Sequence, residues 1–242
     1  MKGRIKIIIF LGVIFILAFM IVSQEKIPSF FAGKYKMNGI DVSRYQGDID
    51  WEIIEGQGID FAFIKATEGS SHIDPCFEKN WEEAEQTSIF PGAYHFFSFD
   101  SNGDAQAQHF IGTVKSLRGK LPPVVDVEYY GDKENNPPSK KEVQGQLKVM
   151  FEELEEYYHV KPVIYTTYKA YHDFIKGEFT EYPLWIRNVY YPPVFINWTF
   201  WQYTDKAVLD GYQGSEKYID RNVFYGSKDE FEGLIVGESA FP

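Results

Sequence analysis

The chain has 242 residues, 24 of them Lys or Arg and 35 Asp or Glu, for a formal charge of −11. That length suits one large domain with a sizeable core. Six of the basic residues and one acid lie in the first 36 positions, leaving 18 against 34 and a formal −16 beyond them. Such a body argues against nucleic acid as a partner, since phosphate binding needs basic patches, while a neutral polymer such as a glycan remains compatible. Aromatics make up 18% of the chain, with 21 Phe, 17 Tyr and 5 Trp. They either fill a core or wall a cleft that stacks on sugar rings, and composition does not choose. Cys76 is alone, so no intramolecular disulfide forms.

The N-terminus reads "MKGRIKIIIFLGVIFILAFMIVSQ". Lys2, Arg4 and Lys6 precede an apolar stretch from Ile7 to Val22. A basic n-region followed by a hydrophobic h-region predicts export. Residues 1–22 are therefore a signal peptide or an uncleaved membrane anchor. No small-x-small cleavage site follows Ala18, which favours the anchor, although the stretch is slightly short for a spanning helix. The basic residues stay cytoplasmic, so the rest is extracytoplasmic, held at the membrane or secreted. Residues 23–36 read as a linker, 37–232 as one domain and 233–242 as a C-terminal tail.

From Met37 the pattern alternates. β-like runs cover 39–43, 61–67, 92–97, 123–128, 162–167, 183–189, 199–204 and 218–224. Helix-like stretches lie near 50–56, 76–88, 102–117, 140–158 and 168–176. In the fourth, Val143, Leu147, Met150, Phe151 and Leu154 recur at helical spacing behind a capping Ser139. The order is β-α five times, then three strands with little helix between them. Strands alternating with helices predict a parallel sheet, and eight strands predict closure into an α/β barrel that lacks its last helices. An open doubly wound sheet is the alternative, but no glycine-rich phosphate loop supports one.

Polar residues gather at the predicted strand ends: Asp41, Lys65 to Glu68, Tyr94 and His95, Asp126 and Glu128, Tyr165, Trp185 and Arg187, Gln202 and Tyr203, Asp220 and Asn222. In a parallel barrel these ends converge on one face, where active sites lie. The run "PPVVDVE" (122–128) is the most telling. Asp126 and Glu128 share one face of a strand, with Cα atoms roughly 6.5 Å apart. A solvated strand end would explain them blandly. The functional reading is an acid pair for glycoside cleavage, which needs a protonated donor to the leaving oxygen and a group that stabilises an oxocarbenium-like centre. Like charge and desolvation would raise one of the two pKa values.

No cofactor or metal is expected. The five His show no H-x₃₋₅-H spacing and there is one Cys, which makes a zinc site improbable. No G-x-S-x-G elbow suggests a serine hydrolase.

The motifs "GIDVSRYQGDIDW" (39–51), "FAFIKATEG" (61–69), "PGAYHFF" (91–97), "PPVVDVE", "VIYTT" (163–167), "LWIRNVY" (184–190), "FWQYTD" (200–205) and "IDRNVFYG" (219–226) resemble, in order, those of glycoside hydrolase family 25. These are the Chalaropsis-type lysozymes, or N-acetylmuramidases. The resemblance covers about 39–226. It implies a flattened barrel, (β/α)₅(β)₃, of eight strands and about five helices. It also implies hydrolysis of the β-1,4 bond between N-acetylmuramic acid and N-acetylglucosamine in the glycan strands of peptidoglycan. Carried over, Glu128 is the general acid and Asp126 its partner. Asp41 and Asp220 complete the acidic cluster, and Tyr94, Tyr165, Trp185 and Gln202 line the sugar cleft. Two stretches depart from the family pattern, "YTTYKAY" in the fifth strand region and "WIRNVYY" in the sixth, where a small residue usually follows Trp-Ile. A monomer is expected. A non-catalytic peptidoglycan-binding or scaffolding module on the same barrel is the other function class, and the intact acids favour the enzyme.

The N-terminal reading has a direct check. Fractionated cells should hold the protein in the membrane with residues 1–22 attached. A soluble product starting between Ser23 and Lys36 would replace the tether by a secreted enzyme.

Overall fold

A computed structural model describes residues 26–237. The apolar run Ile7–Val22, and with it the choice between leader and anchor, lies outside the described residues. Among those described, no helix is long and apolar enough to cross a membrane.

Nine strands form one sheet: β1 (Asn38–Val42), β2 (Phe61–Glu68), β3 (His72–Ile73), β4 (Phe90–Phe96), β5 (Val124–Val127), β6 (Val163–Thr167), β7 (Leu184–Arg187), β8 (Phe200–Ala207) and β9 (Ile219–Phe224). Eight of them close into a barrel, because β1 pairs with both β2 and β9. The two-residue β3 is a flap on the edge of β2 and was too short to leave a sequence pattern. Seven helices accompany the sheet among the described residues. They are α1 over 26–32, α2 (Trp51–Glu55), α3 (Phe77–Ala84), α4 (Gly103–Thr113), α5 (Lys140–Tyr158), α6 (Tyr168–Ala170, running into a π turn at Tyr171–Ile175) and α7 (Lys228–Glu232). The five predicted helices are α2 to α6. The segment read as a linker holds α1. Val236, placed in the tail, exchanges backbone hydrogen bonds with Gly119 and Lys120 at 2.9 Å each and is buried.

The predicted parallel barrel needs one correction. Strands β1, β2 and β4 to β8 pair in parallel around the barrel, but β9 runs antiparallel to both β8 and β1. No crossover helix separates β8 from β9, and a direct return can only produce an antiparallel partner. Asp220 therefore stands at the start of β9, opposite Asp41 of β1, at the end of the barrel where the other strands finish. A second expectation also fails in detail: Ser139 occupies the cap position of α5, yet its side chain makes no capping hydrogen bond.

Side chains alternate across the barrel wall. Outward residues such as Ile40, Ile64, Val125, Ile164 and Ile186 pack under the helices in the main core. Inward residues form a separate aromatic plug of Phe61, Phe63, Phe200, Phe224 and, from α7, Phe231. Above it Phe63 stacks on Trp185 at 4.4 Å between ring centroids, and Tyr165 meets Trp185 edge-on at 4.5 Å. So many rings fit in one barrel only because two facing positions lack side chains. A Cβ on Gly39 would lie 2.3 Å from the Phe61 ring, and one on Gly92 would lie 2.7 Å from the Phe63 ring.

Two glycine substitutions should therefore have opposite signs. Gly39→Ala overpacks the plug and should cost about 1–3 kcal/mol. Gly145→Ala, at an exposed position inside α5 with nothing within 4 Å of its Cβ, should stabilise by roughly 1 kcal/mol. Urea unfolding of the two variants against wild type measures both. A neutral Gly39→Ala would show that the plug is loosely packed.

Candidate active site

The plug ends in a cleft of about 330 Å³ at the C-terminal ends of β1, β2 and β4 to β8. That is enough space for a sugar residue or a small ligand. Asp41, Lys65, Tyr94, Asp126, Glu128, Tyr165, Trp185 and Asp220 line it together with Phe96, Asp205, Glu216 and Tyr218. Register explains why they meet. Asp126 sits between Phe96 of β4 and Tyr165 of β6, Tyr165 beside Trp185, and Lys65 beside Tyr94. All four predicted acids and three of the four predicted cleft residues share this space.

Gln202 does not line the cleft. It is 1% exposed and lies under the floor. Its amide oxygen accepts from the Tyr165 hydroxyl at 3.0 Å, while Nε2 donates to Asp41 at 2.9 Å and to Asp220 at 3.1 Å. Asn222, directly across from Gln202, does the same work from β9. Its Nδ2 donates to Asp41 at 2.7 Å, and its Oδ1 accepts from the Trp185 indole at 2.8 Å. The two amides thus tie the acids to the aromatic wall. His95 also lies elsewhere. It points out of the barrel, fully buried, between Thr67 at 2.7 Å and Gln106 at 3.1 Å. Burial lowers its pKa to about 4, so it is a neutral structural group. Tyr203 packs in the outer core as well.

The electrostatics separate the acids. Burial raises the Asp41 carboxyl, opposed by the hydrogen bonds from Asn222, Gln202 and Asp220. Asp220 is pushed up to about 9 by burial and by the charge of Asp41, and donates its proton to Asp41. Asp126 is raised well above the ordinary carboxylate range, first by burial and then by Glu128. Its Oδ1 is buried with no hydrogen-bond partner. Glu128, half-buried at the mouth, is raised by burial but held back by Arg187. Both carboxyls of this pair are thus held above the ordinary range, Asp126 by its depth and its missing donor, Glu128 by its partial burial. Tyr94 and Tyr165, raised by burial and by the acids, stay neutral donors.

Some wall residues carried no readable signal. Glu216 and Tyr218 come from the β8–β9 connection, where no periodicity marks the inward side. Asp205 pairs with Arg187 at 2.5 Å across the β7–β8 edge, and Lys65 pairs with Glu68 at 2.7 Å. Arg187, which stands where the family pattern usually has a small residue, thereby puts a cation beside Glu128. Among the described residues no group of three or more His, Cys, Asp or Glu side chains is arranged to hold a metal ion.

This fold and site have relatives. The model of the glycosyl hydrolases family 25 matches residues 40–212. A family 25 glycosyl hydrolase structure from Bacillus anthracis superposes with a TM-score of 0.79 at 50% identity, covering 84% of this chain and 94% of that one. Lysozyme M1 of Streptomyces globisporus is 34% identical over 79% of this chain and 68% of its own length. YegX of Escherichia coli O157:H7 is 37% identical over 86% of this chain and 76% of its own length. The chain belongs to glycosyl hydrolases family 25, and it is a glycosidase.

The Asp220 proton has a consequence for stability. Its pKa is raised from 3.8 to about 9. The stability it contributes is therefore complete below the lower value and is lost as pH rises toward the upper one. Asp220→Asn has no proton to lose. Its urea midpoint should gain on that of wild type steadily from about pH 5 to about pH 9. Parallel midpoints across that range would place the proton elsewhere.

Proposed function

We propose that this peptidoglycan hydrolase cleaves the β-1,4 bond between N-acetylmuramic acid and N-acetylglucosamine, with Glu128 as general acid and Asp126 orienting the substrate's 2-acetamido group. The observation that carries this reading is the Asp126 Oδ1, buried and without a donor at the floor of an aromatic-walled cleft. An unpaired buried carboxyl oxygen is costly. An acetamide N–H is a donor of the right kind to fill that place.

The proton then moves by ordinary electrostatics. Without substrate, the deeper Asp126, whose Oδ1 has no donor, holds the proton of the pair. A substrate N–H on Oδ1 favours the ionised form of Asp126. The sugar above it removes water from Glu128, which favours the protonated form of that group. Binding thus shifts the proton from Asp126 to Glu128, next to the glycosidic oxygen that needs it. As the bond breaks, Glu128 protonates the leaving O4 and the acetamide oxygen closes on the anomeric carbon. The Asp126 carboxylate stabilises the positive charge spreading onto the acetamide nitrogen. Water then opens the resulting ring, with Glu128 taking back its proton. Asp41, Asp220, Gln202 and Asn222 act beneath as positioning residues. Trp185, Tyr94 and Tyr165 give the ring an apolar wall with hydroxyl donors, the usual complement of a sugar face.

The enzyme works outside the cell as a monomer, held at the membrane through residues 1–22 or secreted if they are removed. The acidic charge beyond residue 36 suits a neutral glycan.

Glu128→Gln keeps shape and removes the donor proton. It should lower kcat at least about a hundredfold, the low end for general acid catalysis, while binding to peptidoglycan persists. Asp126→Asn should be comparably severe, and Asp41→Asn milder. Dye release from labelled peptidoglycan by variants with wild-type circular dichroism measures all three. Near wild-type turnover of Glu128→Gln would overturn the assignment of the acid, and binding without any dye release by wild type would leave a binding module.

A further inference from the structure

The end of the barrel opposite the cleft carries an unpartnered apolar face. β1 and β8 begin there, and β9, running the other way, ends there. Tyr35 lies just before β1, Trp198 just before β8 and Tyr225 directly after β9. The three rings meet with centroids 5.2 Å (Tyr35–Trp198), 4.9 Å (Trp198–Tyr225) and 5.9 Å (Tyr35–Tyr225) apart. Phe31 and Lys34, with Tyr191 and Val194 from the β7–β8 connection, extend them around a shallow hollow of about 720 Å³. Beyond the hollow, Phe30 is 80% exposed and Phe195 completely so. Phe195 has φ 60, a left-handed conformation that a bulky aromatic rarely adopts. A strained backbone that holds a phenyl ring fully in water, one residue from Val194 on the wall of the hollow, marks an interaction surface rather than scattered apolar exposure.

Two observations say what covers it. In the sequence the apolar run Ile7–Val22 ends three residues, Ser23, Gln24 and Glu25, before Lys26 at the start of the described α1, whose Phe31 lines the hollow. The described start of the chain is also basic. Lys34 lines the hollow, and Lys26 and Lys36 belong to the same segment. Lysines at an apolar rim complement anionic headgroups. Tyr and Trp at such a surface suit the water–lipid boundary, where one end of the ring is apolar and the other wet.

We propose that this base rests on the lipid bilayer, with α1 and the 190–198 connection seated at the headgroup boundary and Phe30 and Phe195 dipping into the acyl region. The cleft, at the other end of the barrel, then points away from the membrane. This rests on the extracytoplasmic placement given under the proposed function.

The full chain carrying Cys76→Ser and Phe195→Cys, labelled with an environment-sensitive nitrobenzoxadiazole, tests it in vesicles of phosphatidylcholine and phosphatidylglycerol. A label at Asp132→Cys, in the loop after β5 on the cleft side, is the control. Expected are loss of emission at 195 with nitroxide-bearing lipid and protection from aqueous dithionite, with the reverse at 132. A 195 label that dithionite still reduces in the vesicle-bound protein overturns the proposal, as does a chain that binds no vesicles. Protection before vesicles are added would mean that the N-terminal segment covers the face. Protection without lipid quenching, in a protein that crosslinks as a dimer, would mean that a second copy does. Either result also overturns it. Extraction of the protein by alkaline carbonate, with quenching at 195 intact beforehand, removes the anchor and leaves the proposal standing.

Discussion

Carboxyl groups that share a desolvated cleft cannot all carry charge, and the rest of the site follows from that constraint. Four acids meet where the barrel opens, with an aromatic plug beneath them and little water to spread their charge. The protein meets the repulsion by leaving protons in place. Asp220 keeps one and hydrogen-bonds through it to Asp41. Asp41, the acid with the most donors, takes two amide hydrogens from Gln202 and Asn222. The deep carboxyl of Asp126 receives none. A removable proton is thereby left on the pair nearest the opening, where a substrate can move it.

The fold supplies the geometry for this arrangement at a cost in packing freedom. Seven parallel strands bring their ends to one face, and β9 reaches the same face by running backwards, so that Asp220 stands against Asp41 across a strand pair. Gly39 and Gly92 leave room for the Phe61 and Phe63 rings, and those rings support Trp185. The indole is in turn tied to Asn222 and through it to Asp41. A disturbance of the plug is thus transmitted to the acids through two hydrogen bonds.

Much of this was legible in the chain. Alternating apolar residues located all eight barrel strands, and helical spacing located the five helices between them. The acids and three of the aromatic wall residues could be placed because each falls within or directly after a predicted strand, although Asp220 stands at the start of β9. Direction was not legible for β9, because alternation has no polarity and only the missing crossover helix betrays it. The role of Gln202 was hidden for a related reason. Whether an amide lines a cleft or braces it depends on the Gln202–Asn222 register, which no local pattern encodes. Glu216 and Tyr218 come from a connection with no period. How the pair shares its proton was not legible, because it depends on depth: Asp126 and Glu128 differ by two positions in the chain, but one is buried without a donor and the other lies near Arg187.

The most direct test is to watch the two carboxyls titrate. With ¹³C at the Asp and Glu side-chain carboxyls, and signals assigned through Asp126→Asn and Glu128→Gln, nuclear magnetic resonance follows each group in the free enzyme and with a bound N-acetylated glycan fragment. In the free enzyme both should titrate above the ordinary carboxylate range, Asp126 higher than Glu128. With the fragment bound, Asp126 should move down and Glu128 up. Two carboxyls titrating near 4, the ordinary value, whether or not the fragment is bound, would contradict the account.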